Sequence, residues 1–384
     1  MQKDFFKRNI IVKNTINLIY HLSVYMFFIL MAGNILYFIP IIGDVSTSFS
    51  GSLIHIWIIV AIILFAISII RLIKIKNKTS ILNFGISMLS LALCIYIMVK
   101  LISALNSQGA NIRLLKSYIK EDVSTIKTET TQFSDENNQN LPIEIYYENK
   151  DNPLIIYIHG GGWISGTVKD NEYTMKVLAK NGYTVASIGY ELSTAEKHLW
   201  NKVESQLLLG ITEICEKQKN IYMIGDSAGG NLVLDIAYKI NAGIYKSING
   251  KDLPKVKAVS VNYPVTNPKD FYNNDNFMAK NVSKKMTTYF FGGTPVEFSE
   301  RYDEIMPEKY IGTNTPPTAV IVGENDPLVP PQSTYSFIEK LKVKGIKNRL
   351  IKAPYFGHAG DAHKNNLFNQ AYINMTLDWI KKTI

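Results

Sequence analysis

The residues best suited to chemistry are Gly225-Asp226-Ser227-Ala228-Gly229, followed by Gly230. They fit G-x-S-x-G, with the apolar segment IYMI before them and NLVLDIAYKI after. A serine on a sharp strand-to-helix turn sits in a strained backbone conformation, and its hydroxyl stands above the sheet edge where a base can reach it. Small neighbours at 225 and 229 let strand and helix approach closely. A second group is His159-Gly160-Gly161-Gly162-Trp163, which ends the apolar run LIIYIH. Acyl transfer builds a negative charge on a tetrahedral oxygen, and a glycine run after a strand offers unobstructed backbone N–H donors to it. The expected donors are Gly161, Gly162 and Ala228, with His159 shaping the loop. A phosphate loop is a poor alternative, because neither G-K-[ST] nor a flanked G-x-G-x-x-G is present.

A serine nucleophile needs a base and an acid that orients it. Of six histidines, His21 and His55 fall in long apolar runs and His159 in the glycine motif. That leaves His198, His358 and His363. The G-x-S-x-G turn resembles that of hydrolases in which the acid and then the base follow the serine in chain order. His358, in APYFGHAG after the last strand, is preferred to His363. Asp326, after the strand TAVIVG, is preferred to Glu324 as the acid.

The elements that must carry these residues alternate. Strands are expected at 143–147, 154–159, 183–188, 221–224, 256–261, 319–322 and 349–353. Helices are expected at 170–181, 195–218, 332–344 and 364–382, besides the one that follows Ser227. Such alternation implies a mostly parallel sheet with helices on both faces. The interval 264–316 interrupts it and reads as a cap-like insertion. Residues 104–120 read as a short juxtamembrane helix, and 121–141 as a polar linker or a first edge strand with a turn.

The first hundred residues differ in kind. Stretches 14–43, 45–70 and 79–99 contain no Asp, Glu, Lys or Arg. A bilayer core needs about 20 apolar helical residues, so three spans are expected, at about 15–42, 52–72 and 79–101. The net charge of +9 belongs to this region: residues 1–120 carry 12 Lys and Arg against 2 Asp and Glu. Membrane topology accounts for that excess better than nucleic acid does. Lys3, Lys7, Arg8 and Lys13 precede the first span, and Arg71, Lys74, Lys76 and Lys78 follow the second, whereas the loop 43–51 has no Lys or Arg. The N-terminus is therefore expected in the cytoplasm and the domain from 142 to 384 outside it, in a plasma-membrane protein. Lys100, Arg113, Lys116 and Lys120 after the third span argue the other way. Cys94 and Cys215 do not make a disulfide scaffold, and no metal-binding spacing occurs.

HGGGW, GDSAGGNL, the Asp of NDPL and a late histidine together resemble the hormone-sensitive-lipase-like branch of the α/β-hydrolases. The resemblance covers roughly 142–384 and leaves out the three spans. It implies an α/β-hydrolase fold with Ser227 as nucleophile, His358 as base and Asp326 as acid, no cofactor, and Gly161, Gly162 and Ala228 as the oxyanion hole. The activity implied is a carboxylesterase acting on short acyl esters; the expected membrane location adds that the ester is small or surface-attached. An acyltransferase or membrane-lipid hydrolase with the same triad, and a silent receptor on this fold, are the alternatives. The sequence departs from the branch in two places: membrane helices stand where relatives carry N-terminal cap helices, and His358-Ala359-Gly360 replaces His-Gly-Phe.

Overall fold

The computed structural model describes residues 2–39, 41–215, 218, 220–248 and 250–383; for 2–10 it describes the backbone alone. Eight strands form the main sheet: β1 (Lys127–Ser134), β2 (Asn140–Tyr147), β3 (Leu154–Ile158), β4 (Thr184–Ile188), β5 (Asn220–Asp226), β8 (Lys255–Asn262), β9 (Thr318–Gly323) and β10 (Asn348–Ala353). Their order is β1-β2-β4-β3-β5-β8-β9-β10, and the short pair β6 (Ser247–Ile248) and β7 (Lys251–Asp252) forms a separate ribbon. Strand β2 runs antiparallel to both neighbours, and every pairing from β4 to β10 is parallel. Strands β3, β4 and β9 are buried along their whole length. Continuous apolar runs such as LIIYI are what a strand covered on both faces requires.

On one face lie α5 (Val203–Ile214), α6 (Ser227–Asn241) and α10 (Pro331–Val343). On the other lie α4 (Glu172–Lys180) and α11 (Leu367–Lys381). The insertion folds into α7 (Pro268–Tyr272), α8 (Lys280–Phe291) and α9 (Ser299–Glu304) with a 3-10 turn at Pro307–Tyr310. Its Phe271, Phe290, Phe291 and Tyr302 join the first core.

The N-terminal part is α1 (Gln2–Gly33), α2 (Ile42–Ile75) and α3 (Lys78–Ser107). All three are long and apolar enough to cross a membrane. They are not a separate body. Met31, Ile54, Cys94, Leu101 and Leu105 are fully buried in the same cluster as Ile155, Ile351 and Phe356 of the sheet region. The last turns of α3 pack on β10. Just beyond them, Gln108 pairs with both backbone groups of Lys352: its Oε1 accepts from Lys352 N and its Nε2 donates to Lys352 O, each at 2.8 Å. One side chain thus satisfies part of a free strand edge, which would otherwise be a liability.

Several boundaries differ from the sequence reading. The first helix ends at Gly33 rather than near 42: Asn34 Nδ2 folds back to Leu30 O at 2.9 Å and reaches Ser50 Oγ at 2.8 Å. The stretch GDVSTSFSG, read as a loop, is helical and belongs to α2. Its Gly, Ser and Thr have weak helix propensity, but Gly43, Ser46, Thr47, Ser50 and Gly51 are all buried, and packing overrides propensity. The juxtamembrane helix at 104–120 does not form as one piece. Gly109 adopts φ +78 after α3, and only one 3-10 turn follows, at Leu114–Ser117. The polar stretch before β2 takes the second of its two readings: it contains β1, an edge strand whose one buried residue is Phe133. Helix α5 starts eight residues later than 195, because residues 193–202 are irregular. Residues 216 and 217 of that expected helix lie outside the described residues.

Candidate active site

Strand β5 ends at Asp226 and α6 begins at Ser227, which holds φ +52. This left-handed backbone is costly for a residue with a side chain, and such strain clusters at functional turns. The turn is possible because α6 crosses very close to β3. A Cβ on Gly229 would stand 2.2 Å from Ile158 O. Serine at this first helical position has its hydroxyl at the C-terminal edge of the parallel strands, where open α/β sheets build their sites.

The structure brings Ser227, His358 and Asp326 together from the ends of three strands. His358 Nε2 is 3.0 Å from Ser227 Oγ, and His358 Nδ1 is 2.7 Å from Asp326 Oδ2. The other carboxylate oxygen of Asp326 accepts from Leu328 N and Val329 N, both at 2.9 Å. Two backbone donors therefore fix the carboxylate plane that orients the imidazole. The edge of Tyr263 closes one side of His358, with ring centroids 4.6 Å apart. Glu324 is not on the histidine; its backbone N donates to Ala353 O. His198 lies under the insertion, with Nδ1 2.7 Å from Tyr289 O. His363 does not line the site; it lies near His55.

Gly160, Gly161 and Gly162 line the same pocket as Ser227 and His358, a cavity of about 250 Å³. Gly161 needs its freedom: φ is +107, and a Cβ there would meet Ser165 O at 2.0 Å. Ala228 is buried in the first turn of α6, where backbone N–H groups have no intrahelical acceptor. His159 stacks on Tyr190 at 4.3 Å and donates from Nδ1 to Gly160 O at 2.8 Å, while Tyr190 Oη donates to His159 O. Burial lowers the His159 pKa, so a neutral ring holds the start of the glycine loop. Trp163 is fully buried and stacks on Phe290 at 4.8 Å, which ties the loop to α8. From α8, Met286 reaches into the pocket.

Beneath the serine lies a group that sequence reasoning missed. Asp226 Oδ2 accepts from Tyr157 Oη at 2.7 Å and from Asn171 Nδ2. The same Asn171 nitrogen donates to Asp361 Oδ2 at 3.2 Å, and Asp361 also accepts from Asn262 Nδ2 at 2.9 Å and from Tyr263 Oη. Burial, then the Asp361 carboxylate, pushes the Asp226 pKa up to about 8. Burial raises Asp361 too. Two buried carboxyls joined through one amide cannot both ionise cheaply, so the pair retains a proton. Only the Asp of GDSAG was visible as a candidate; nothing in the sequence ties Asn171, Asn262, Tyr263 and Asp361 to it.

The histidine loop also rests on α2. Asp44, Ser48, Gly51, Ser52 and His55 recur at the spacing of one helix face. Asn276 Nδ2 donates to Asp44 Oδ2 at 3.0 Å, Ser48 lies against Gly357, and Gly51 lies against Tyr355 and Phe356. Ser52 Oγ donates to Gly360 O at 3.4 Å, and Asn366 Nδ2 bridges Ser52 O and Gly360 O at 3.2 and 2.6 Å. Tyr118 Oη donates to His55 O at 2.6 Å.

Comparison with known proteins gives consistent matches. The family BD-FAE matches residues 143–341. An alpha/beta hydrolase of Acanthamoeba polyphaga mimivirus is 24% identical over 218 residues, which is 52% of this chain and 58% of that protein. Esterase LipC of Mycobacterium tuberculosis is 25% identical over 230 residues, 55% of this chain and 54% of its own. The chain thus spans little more than half the length of these two relatives. Among solved structures, the hyperthermophilic esterase of Pyrobaculum calidifontis has a TM-score of 0.56 at 18% identity, covering 74% of this chain and 93% of that one. Esterase LipW of Mycobacterium marinum has a TM-score of 0.54 at 18% identity, with 73% and 88% covered. Both share the fold.

Proposed function

We propose, from the premise that this chain belongs to the BD-FAE family, that it is a membrane-anchored serine carboxylesterase. The observation that carries this reading is the chain of contacts from Ser227 Oγ through His358 to Asp326, at 3.0 and 2.7 Å. Ser227 Oγ attacks the acyl carbon of an ester while His358 Nε2 takes its proton. The negative tetrahedral oxygen is held by N–H groups of Gly161, Gly162 and Ala228. On collapse the acyl carbon–oxygen bond breaks, and the alcohol leaves with the proton from His358. Water, activated by the same nitrogen, then releases the acid and restores the serine. Asp326 holds the tautomer and stabilises the imidazolium. A cavity of about 250 Å³ favours a short acyl group.

The three apolar helices support a membrane location, and the Lys and Arg that flank them support a cytoplasmic N-terminus with the hydrolase domain on the opposite side. The test uses the full chain in detergent with p-nitrophenyl esters from acetate to decanoate. Ser227→Ala should lower kcat by roughly 10⁴–10⁶-fold and abolish fluorophosphonate labelling. Turnover that survives Ser227→Ala would refute the proposal.

A further inference from the structure

Helix α2 sets the depth of the site relative to a bilayer. Its continuous apolar run begins near Leu53, and Ser48, which touches Gly357 beside the histidine, is five residues earlier. At about 1.5 Å per residue that is a rise of roughly 7–8 Å. The headgroup layer is about 5–8 Å deep on each face. The histidine loop therefore stands at headgroup depth, with little room between it and the hydrocarbon.

The surface around it is built for that depth. Tyr37, Phe38 and Phe49, at the α1–α2 end, are 60, 69 and 53% exposed. Exposed aromatic residues belong at membrane–water interfaces. Leu115 and Ile119, 75 and 74% exposed, flank Tyr118, which is bonded to α2 at His55. On the insertion, Asn276 is bonded to Asp44 of α2, and from there Met278, Val282 and Met286 follow at intervals of four. Met278 and Val282 are exposed, and Met286 lines the pocket of Ser227. This apolar stripe runs from the N-terminal end of α2, where the Tyr37 backbone lies against Gly43, to the nucleophile. Lys280, Lys284 and Lys285 accompany it on α8, a charge pattern that suits anionic headgroups.

We infer that the substrate is an amphiphilic ester resident in the bilayer, with a short acyl group and an apolar alcohol part. The acyl group enters the small pocket, and the alcohol part lies along Met278, Val282 and Met286 with its remainder still in the membrane. This inference rests on the esterase reading of the same site. Cleavage follows the same steps: the acyl group passes to Ser227 and then to water, and the apolar alcohol, protonated by His358, returns to the bilayer.

The test uses the full chain in phosphatidylglycerol–phosphatidylethanolamine vesicles containing hexadecyl acetate, with acetate release as the readout. p-Nitrophenyl acetate serves as the water-soluble comparison. Wild type should hydrolyse hexadecyl acetate in a Ser227-dependent manner. Val282→Glu should lower kcat/KM for hexadecyl acetate by about tenfold more than for p-nitrophenyl acetate, the effect of losing roughly two buried methylenes. Val282→Leu should restore the ratio. Ser227-dependent hydrolysis of p-nitrophenyl acetate with none of hexadecyl acetate would overturn the inference and leave the esterase reading intact. Equal effects of Val282→Glu on the two substrates would overturn the proposed path. Failure on both substrates would overturn the esterase reading, and the inference with it.

Discussion

Replacing Gly51 by alanine isolates the contact between α2 and the histidine loop. A Cβ at Gly51 would stand 2.1 Å from Tyr355 O and 2.9 Å from the Phe356 ring. The first obstacle is backbone, so no side-chain rotation removes it. Non-bonded carbon and oxygen need more than about 3 Å, so helix and loop must part by about 1 Å. His358 sits three residues beyond Tyr355 and is 3.0 Å from Ser227 Oγ. A shift of about 1 Å carries that contact outside hydrogen-bond range, and misplacements of this size cost on the order of 10²-fold in rate. Helix propensity works the other way, since alanine favours a helix over glycine by about 0.5–1 kcal/mol. The assay is kcat and KM of full-length Gly51→Ala on p-nitrophenyl acetate, with a thermal melt in the same detergent. The expected result is a kcat roughly 10²-fold lower, KM little changed, and a cooperative melt. A variant that melts as wild type and keeps kcat within about twofold would show that the contact does not position the histidine, and the reasoning would fail.

Asp226 supplies a prediction about pH. Its folded-state pKa of about 8 lies above the ordinary 3.8, so the folded protein holds a proton that the unfolded chain releases. Stability from that proton is present below about pH 4 and is lost as the pH rises towards about 8. Melts of wild type and Asp226→Asn across this range should show wild type losing ground to the variant as the pH rises; a constant difference would refute the shared proton. A second buried cluster joins Lys239 to Glu204 and Asp235, with Nζ–oxygen distances of 2.7 Å to each. Lys239→Ala leaves two buried carboxyls facing one another and should cost about 3–5 kcal/mol in a melt, with kcat of the folded fraction unaltered. A loss below about 1 kcal/mol would mean that the cluster is far more hydrated than its burial indicates.

What the sequence discloses about this protein is local. Ser227 and the glycine run are legible because the G-x-S-x-G turn and the run of three glycines each occupy a few consecutive residues. Asp326 and His358 are legible as candidates because each follows an apolar strand that can be recognised by itself. The remainder depends on contacts between distant segments. Nothing near Met286 marks it as a pocket wall, and nothing near Asp361 marks it as the partner of Asp226. Strand β1 is legible only as one of two readings of 121–141, because KTETTQ ahead of the buried Phe133 carries no apolar alternation. The stretch GDVSTSFSG hides for the opposite reason: its small polar residues look like a loop, yet their smallness is what lets the histidine loop sit on them.

That last contact bears on the order in which the protein is made. Ser52 and the backbone around Gly360 are separated by 308 residues, and Ser52 and Asn366 by 314. Ser52 leaves the ribosome early, and the loop that needs it leaves almost last. Contacts of such long range form late in folding, after the elements they join. By then α1 and α2 have been synthesised and are available for insertion, so the nascent domain completes its histidine loop against a support already in place. A chain assembled in this sequence completes the loop that carries His358 only after α2 has been made, and a copy whose α2 is displaced lacks the platform on which that loop is cast.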